Sequence, residues 1–229
     1  MLRELLLERS NLLESAIARV REQLRLAPTS RIKNTGTILE KLRRNGGSGL
    51  KSMQDLGGMR IVGAFDRRGQ DDVVQRVCEL FAGEARAPKV IDRRIEPMHG
   101  YTAVHVIVFP DDAPIEIQVR TEWQHEWAEL FEKLADLVGR GIRYGEPPAV
   151  WWSDDELAAW TDLDRELNTT RYELRLILVR IALSVANMID AVEQGELESP
   201  DDFELDGYRR MVDQHLAEFR DNMDEWGAP

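Results

Sequence analysis

A chain of 229 residues with a net charge of −12, 43% hydrophobic and 31% charged, has apolar material for one domain with an extension, or for two small domains. No apolar run approaches the roughly 18 residues a bilayer span needs, and the single cysteine, Cys78, excludes a disulfide framework within the chain. The acidic balance argues against a broad surface for neutralising duplex phosphates, although the amino-terminal part is net basic and the acidic excess lies towards the carboxyl end.

Leu2, Leu5, Leu6, Leu12, Leu13, Ile17, Val20 and Leu24 recur at three- and four-residue spacing, which predicts one amphipathic helix over residues 2–26. Arg3, Glu4, Glu8 and Arg9 among the leucines distinguish it from a signal peptide, and a cytoplasmic protein without membrane contact is expected. Pro28 ends this helix, and Thr29 or Ser30 is read as the cap of a second helix through about Arg44, before glycines at 46, 47 and 49 mark a loop. A strand is predicted over 57–65, then a helix over about 71–82 with Val73, Val74, Val77 and Leu80 on one face. Residues 89–93, 101–109 and 114–120 read as strands, the last two joined as a hairpin across Asp111-Asp112. Helical spacing returns from Glu122 to Val138 and, beyond Pro147 and Pro148, continues over 154–194 and 200–226. This order predicts an α+β protein: a mixed β-sheet flanked by helices, with an amino-terminal helix (1–27), a core (28–150) and a helical carboxyl-terminal extension (151–229).

Within the predicted hairpin, alternation puts Glu116, Gln118 and Arg120 on one strand face and Ile115, Ile117 and Val119 on the other. The neighbouring strand sets Tyr101, Ala103 and His105 against Val104, Val106 and Val108 in the same way. Such a polar row suits either an exposed sheet face with ordinary cross-strand pairs or a site. Asp55, just before Gly57-Gly58 and the strand carrying Arg60, could join Glu116 as a pair of hard oxygen ligands for Mg²⁺. Arg31 and Lys33 would then be available for phosphates.

Taken in order, Arg31-Ile32-Lys33, Asp55-Leu56-Gly57-Gly58-Met59-Arg60-Ile61-Val62, Gly100-Tyr101-Thr102-Ala103-Val104-His105 and Glu116-Ile117-Gln118-Val119-Arg120-Thr121 with Trp127-Ala128 resemble the RelA/SpoT alarmone-synthetase domain. The resemblance implies a nucleotidyltransferase-like mixed sheet and transfer of the β,γ-diphosphate of ATP to the ribose 3′ hydroxyl of GDP or GTP, making (p)ppGpp. It further implies that Arg31, Lys33 and Arg60 bind ATP with Lys41 reaching phosphates, and that Asp55 and Glu116 hold Mg²⁺, Glu116 also drawing the proton from the attacking hydroxyl. Tyr101 would stack on the acceptor base, with His105, Gln118 and His125 lining the acceptor pocket.

Glu96-Pro97-Met98-His99 stands where the family commonly has Pro-Lys-x-Asn, and Thr102-Ala103-Val104-His105 where it has Arg-Ser-Leu-His. Two customary basic contacts are therefore missing, with Arg93 or Arg94 the substitutes at hand. Glu132 and Leu137 stand nearest the places of the family's downstream His and Lys. None of His99, His105, His125 and His215 is followed by Asp, so the hydrolase motif is absent and the resemblance is to the small, synthetase-only branch. That branch leaves open an adenine nucleotide as acceptor, or a tRNA 3′ CCA end whose phosphates the basic run from Arg19 to Lys51 would meet. It also leaves open an antitoxin or a second copy of the chain as partner, and a nucleotide-binding module without catalysis.

Overall fold

The computed structural model describes residues 2–32, 57–150, 152–198 and 203–226. The order is α1 (Leu2–Arg19), a π turn (Val20–Leu24), β1 (Thr29–Ile32), β2 (Gly57–Gly63), α2 (Arg67–Leu80), β3 (Lys89–Asp92), β4 (Val104–Val108), β5 (Ile115–Thr121) and α3 (Glu122–Val138). Three helices follow: α4 (Asp154–Ala159), α5 (Asp162–Glu198) and α6 (Phe203–Trp226). No described helix is long and apolar enough to cross a membrane. The chain divides into two compact units, Met1–Ile95 with Ala103–Glu122, and Glu96–Thr102 with Trp123–Pro229.

The first unit is a five-stranded sheet in the order β1-β2-β5-β4-β3, in which only β2 and β5 run parallel. Alternation makes one face apolar: Met59 and Ile61, Val106 and Val108, and Ile115, Ile117 and Val119 meet Leu13, Ala16, Ile17 and Val20, and Val73 and Val77 of α2. Burying each such aliphatic side chain is worth about 1.5–3 kcal/mol, so this face dictates the register of the strands. Asp66 caps α2, its Oδ1 accepting from the Gly69 amide at 2.8 Å. The β4–β5 connection turns at Asp111 and Asp112, whose φ values of 49° and 58° lie in the left-handed region that Asp tolerates better than most residues.

The second unit buries Trp127, Leu130, Phe131 and Leu134 of α3 against Ala182, Val185 and Ile189 of α5 and Val212, Leu216 and Phe219 of α6. The Trp127 Nε1–H donates to the Ala182 carbonyl at 2.7 Å, and the indole stacks on Phe131 with centroids 4.7 Å apart. Gly100, at φ 84°, lies against this group; a Cβ there would stand 2.9 Å from both Trp127 Cζ2 and Ala186 Cβ.

Three predicted elements differ. Thr29–Ile32, expected to begin a helix, is a strand: the Thr/Ser capping signal loses to a ladder in which Thr29 faces Arg60 and Ile32 faces Gly57. The strand expected from 101 begins at Val104, because positive φ at His99 and Gly100 closes a tight turn bridging Met98 and Tyr101. The single helix expected over 154–194 is broken before Asp162, where Thr161 and Asp164 exchange hydrogen bonds and cap α5 afresh.

Candidate active site

On β5 the residues between the core positions, Glu116, Gln118 and Arg120, fall on the opposite face of the sheet. Register brings Gly58 and Arg60 of β2 beside Glu116 and Gln118, and Ile107 and His105 of β4 beside them on the other side. Arg31 of β1 occupies the register position next to Gly58.

Three hydrogen bonds join these side chains into a ladder. His105 Nδ1 lies 2.9 Å from Glu116 Oε1, Gln118 Nε2 donates to Glu116 Oε2 at 2.8 Å, and Arg120 Nη2 donates to Gln118 Oε1 at 2.9 Å. A guanidinium only donates and a carboxylate only accepts, so the Gln118 amide is oriented with oxygen towards Arg120 and nitrogen towards Glu116. The same logic puts a proton on His105 Nδ1. Arg120 is 3% exposed and Gln118 9%, whereas the His105 and Glu116 side chains are 14% and 18% exposed. The ladder therefore runs from a sealed arginine to a carboxylate that solvent reaches. Each Glu116 oxygen accepts one of these bonds.

Gly58 lets β2 lie close against the β5 backbone at Glu116. A Cβ at 58 would lie 2.9 Å from the Glu116 carbonyl oxygen, a contact with the backbone that no rotamer change relieves. At Gly57 the nearest atom to an added Cβ is Leu13 Cδ2 at 3.5 Å, an ordinary contact.

Behind the sheet, Arg94 is fully engaged. It bonds Asp92 and Asp71 at 2.6 Å each and Gln70 Oε1 at 3.0 Å, while Gln70 Nε2 donates to the Val119 carbonyl of β5 at 2.9 Å. Burial would push the Asp92 carboxyl up, but the hydrogen bonds and charge of Arg94, with the charge of Arg67, outweigh it and hold that carboxyl below its ordinary value. Arg94, one of the two arginines considered as substitutes for the family's lysine, thus braces the sheet. Arg19 is similarly committed, bonded to Glu84 and to the Leu80 carbonyl and lying over the Phe81 ring.

The structure brings His105, Glu116 and Gln118 into direct contact and sets Arg60 at a register position on the same face. Tyr101 and His125 belong to the helical unit, Tyr101 in its turn against the helical core and His125 half-buried on α3. Lys33, Lys41 and Asp55 lie outside the described residues, and Arg31 is placed by its backbone alone. Among the described residues no three His, Cys, Asp or Glu side chains gather as a metal-binding group. Alternation in the sequence already puts Arg120 on this face but assigns it no role, whereas the part played by Gly58, quoted there only within a motif, needs the parallel register to β5.

Comparison with known proteins follows the same motifs. Residues 30–135 match the family model described as "Region found in RelA / SpoT proteins". Uncharacterized proteins of Mycobacterium tuberculosis and Mycobacterium bovis are 40% identical over 123 residues, 54% of this chain and 44% of theirs. The chain thus spans less than half the length of the curated relatives it matches. Among solved structures, small alarmone synthetase 1 from Bacillus subtilis bound to its product pppGpp superposes with a TM-score of 0.51 at 19% identity, covering 86% of this chain and 96% of that one. That likeness establishes the fold: a mixed sheet with flanking helices.

Proposed function

We propose, from the match of residues 30–135 to the model described as "Region found in RelA / SpoT proteins", that this chain is a pyrophosphokinase, transferring the β,γ-diphosphate of ATP to the ribose 3′ hydroxyl of GDP or GTP. The reacting residues fall within 28–150. The observation that carries this reading is the Glu116 carboxylate, held on both oxygens by His105 and Gln118 at the open end of a buried ladder. The Bacillus subtilis protein of like fold is bound to pppGpp, which agrees with a guanine nucleotide as acceptor.

In this reading Glu116 takes the proton of the 3′ hydroxyl as its oxygen bonds to the β-phosphorus of ATP; the bridging bond from the β-phosphorus to the α-phosphate oxygen breaks and AMP leaves. His105 and Gln118 fix the carboxylate's rotamer. Glu116, with Asp55 from outside the described residues, supplies the hard oxygen donors that Mg²⁺ prefers. When bound, that ion offsets the charge gathering on the transferred phosphates. Arg31, Lys33, Lys41 and Arg60 bind the ATP phosphates, and Tyr101 and His125 meet the acceptor base.

The test is incubation of the chain with γ-labelled ATP and Mg²⁺ and, separately, GDP, GTP, AMP and bulk tRNA. Label on GDP or GTP supports the proposal. Label on tRNA or AMP moves the acceptor to the other branch readings, and nucleotide binding without transfer to any acceptor refutes catalysis. The commitment of Arg19 to Glu84 and Leu80 weighs against tRNA, because a basic helix free to meet phosphates is what that reading requires.

A further inference from the structure

The turn that leads into Tyr101 is fastened to the helical unit at both of its central residues. The Met98 N–H donates to the Tyr101 carbonyl at 3.3 Å and the Tyr101 N–H to the Met98 carbonyl at 3.0 Å, across His99 at φ 51° and Gly100 at φ 84°. Positive φ at both central residues marks a type I′ turn, and His is one of the few side-chain-bearing residues enriched in that region. Gly100 sits where a Cβ would strike Trp127 of α3 and Ala186 of α5.

The His99 imidazole lies on Gly145, the residue that closes the 3₁₀ turn Arg140–Tyr144 at φ 80°. A Cβ at 145 would stand 2.3 Å from His99 Cε1 and 2.9 and 3.0 Å from its Nδ1 and Nε2, so the ring fills space that only glycine leaves open. Among the described residues the ring takes part in no hydrogen bond or ion pair, and packing is what holds it there.

We propose that His99 is a positioning residue for the acceptor nucleotide: its ring on Gly145 fixes the turn, and the turn fixes Tyr101. The inference rests on the reading that Tyr101 meets the acceptor base, and it names what holds Tyr101 ready. A loop ordered before its ligand arrives spares binding the conformational entropy of fixing it. Releasing the ring therefore weakens acceptor binding and leaves ATP binding and the chemical step as they were.

The test is steady-state kinetics with varied GDP and varied ATP, alongside calorimetric titration of GDP, on the full chain. His99→Asn keeps a residue suited to positive φ and makes the favoured Asn-Gly pair, so the turn itself is not weakened and only the ring is lost. The acceptor KM and the GDP Kd should rise about tenfold, with kcat and the KM for ATP within about twofold. Gly145→Ala, which drives the ring off, should raise the same two constants about as much, and adding it to His99→Asn should raise them no further, because no ring is left to displace. Urea midpoints report the separate strain of alanine at φ 80°, which falls on both backgrounds equally. A His99→Asn chain with unchanged acceptor KM and Kd, or a double variant in which the two losses multiply, overturns the proposal. A wild type that binds GDP but transfers nothing refutes the pyrophosphokinase reading alone, and an about tenfold weaker Kd in His99→Asn then still supports the role of His99. A wild type that does not bind GDP overturns both.

Discussion

Replacing Gln118 by Leu removes the middle of the ladder with little change in volume. Two bonds are lost: the 2.8 Å donation to the Glu116 carboxylate and the 2.9 Å acceptance from buried Arg120. A hydrogen bond to a charged group is worth about 1.5–3 kcal/mol, and if most of the first bond serves to hold Glu116 in its reacting rotamer, kcat falls about 10–100-fold. Because the bond acts on the carboxylate and not on substrate, the KM for the acceptor nucleotide stays within about twofold. The second bond acts on folding: a buried guanidinium deprived of its acceptor lowers stability by about 1–3 kcal/mol. Gln118→Glu separates the two effects. It keeps an acceptor for Arg120 and so recovers stability, but sets a second carboxylate against Glu116, raising its pKa and moving the acid limb of the pH–rate profile to higher pH. Steady-state kinetics with varied acceptor, alongside urea unfolding of each variant, reads all three quantities. An unchanged kcat with a raised acceptor KM in Gln118→Leu would refute the positioning argument and leave Gln118 as a pocket residue only.

Gly58→Ala forces a Cβ to 2.9 Å from the Glu116 carbonyl and is expected to cost more than tenfold in activity, whereas Gly57→Ala, meeting only Leu13 at 3.5 Å, stays within about threefold. Parallel turnover assays on the two variants check this. Asp92→Asn breaks the pair with Arg94 behind the sheet and lowers stability by about 1–3 kcal/mol at neutral pH. Since the folded-state carboxyl is held below its ordinary value, the wild type's advantage is complete above the usual Asp range near 4 and is lost as pH falls through that range to the folded value, which urea midpoints at a series of pH values will show. Trp127→Phe keeps an aromatic ring in the stack on Phe131 but loses the 2.7 Å bond to the Ala182 carbonyl, an expected loss of about 1 kcal/mol measurable by the same unfolding assay.

What the sequence made legible was what alternation and spacing encode. The apolar Ile115, Ile117 and Val119 against the polar Glu116, Gln118 and Arg120 give the face of β5 directly, and the Asp111-Asp112 turn gives the hairpin. Local signals misled where a long-range partner decided the outcome. Thr29 and Ser30 carry a helix-capping signature, but β2 offers the segment a ladder, and no local pattern reports a strand almost thirty residues away. The break before α5 is the reverse case: the apolar spacing runs through it, and only the exchange between Thr161 and Asp164 marks the restart. In the site, the residue types were readable but not their bonding. Gln118 and His105 read from sequence as pocket linings, and only cross-strand register and the diagonal reach of their side chains reveal that both also bond Glu116.

The central claim is that Glu116 is the base of a diphosphate transfer. The most direct measurement is product analysis by ion-exchange chromatography and mass spectrometry for the wild type and Glu116→Gln, each with ATP, GDP and Mg²⁺. The wild type should yield a guanosine carrying a new diphosphate on its 3′ oxygen together with an equal amount of AMP. Glu116→Gln, which retains the shape and loses the charge, should bind ATP, unfold at nearly the wild-type urea concentration and yield neither product. A Glu116→Gln chain that turns over at the wild-type rate, or a wild type that releases ADP and free phosphate with no 3′ product, would contradict the account.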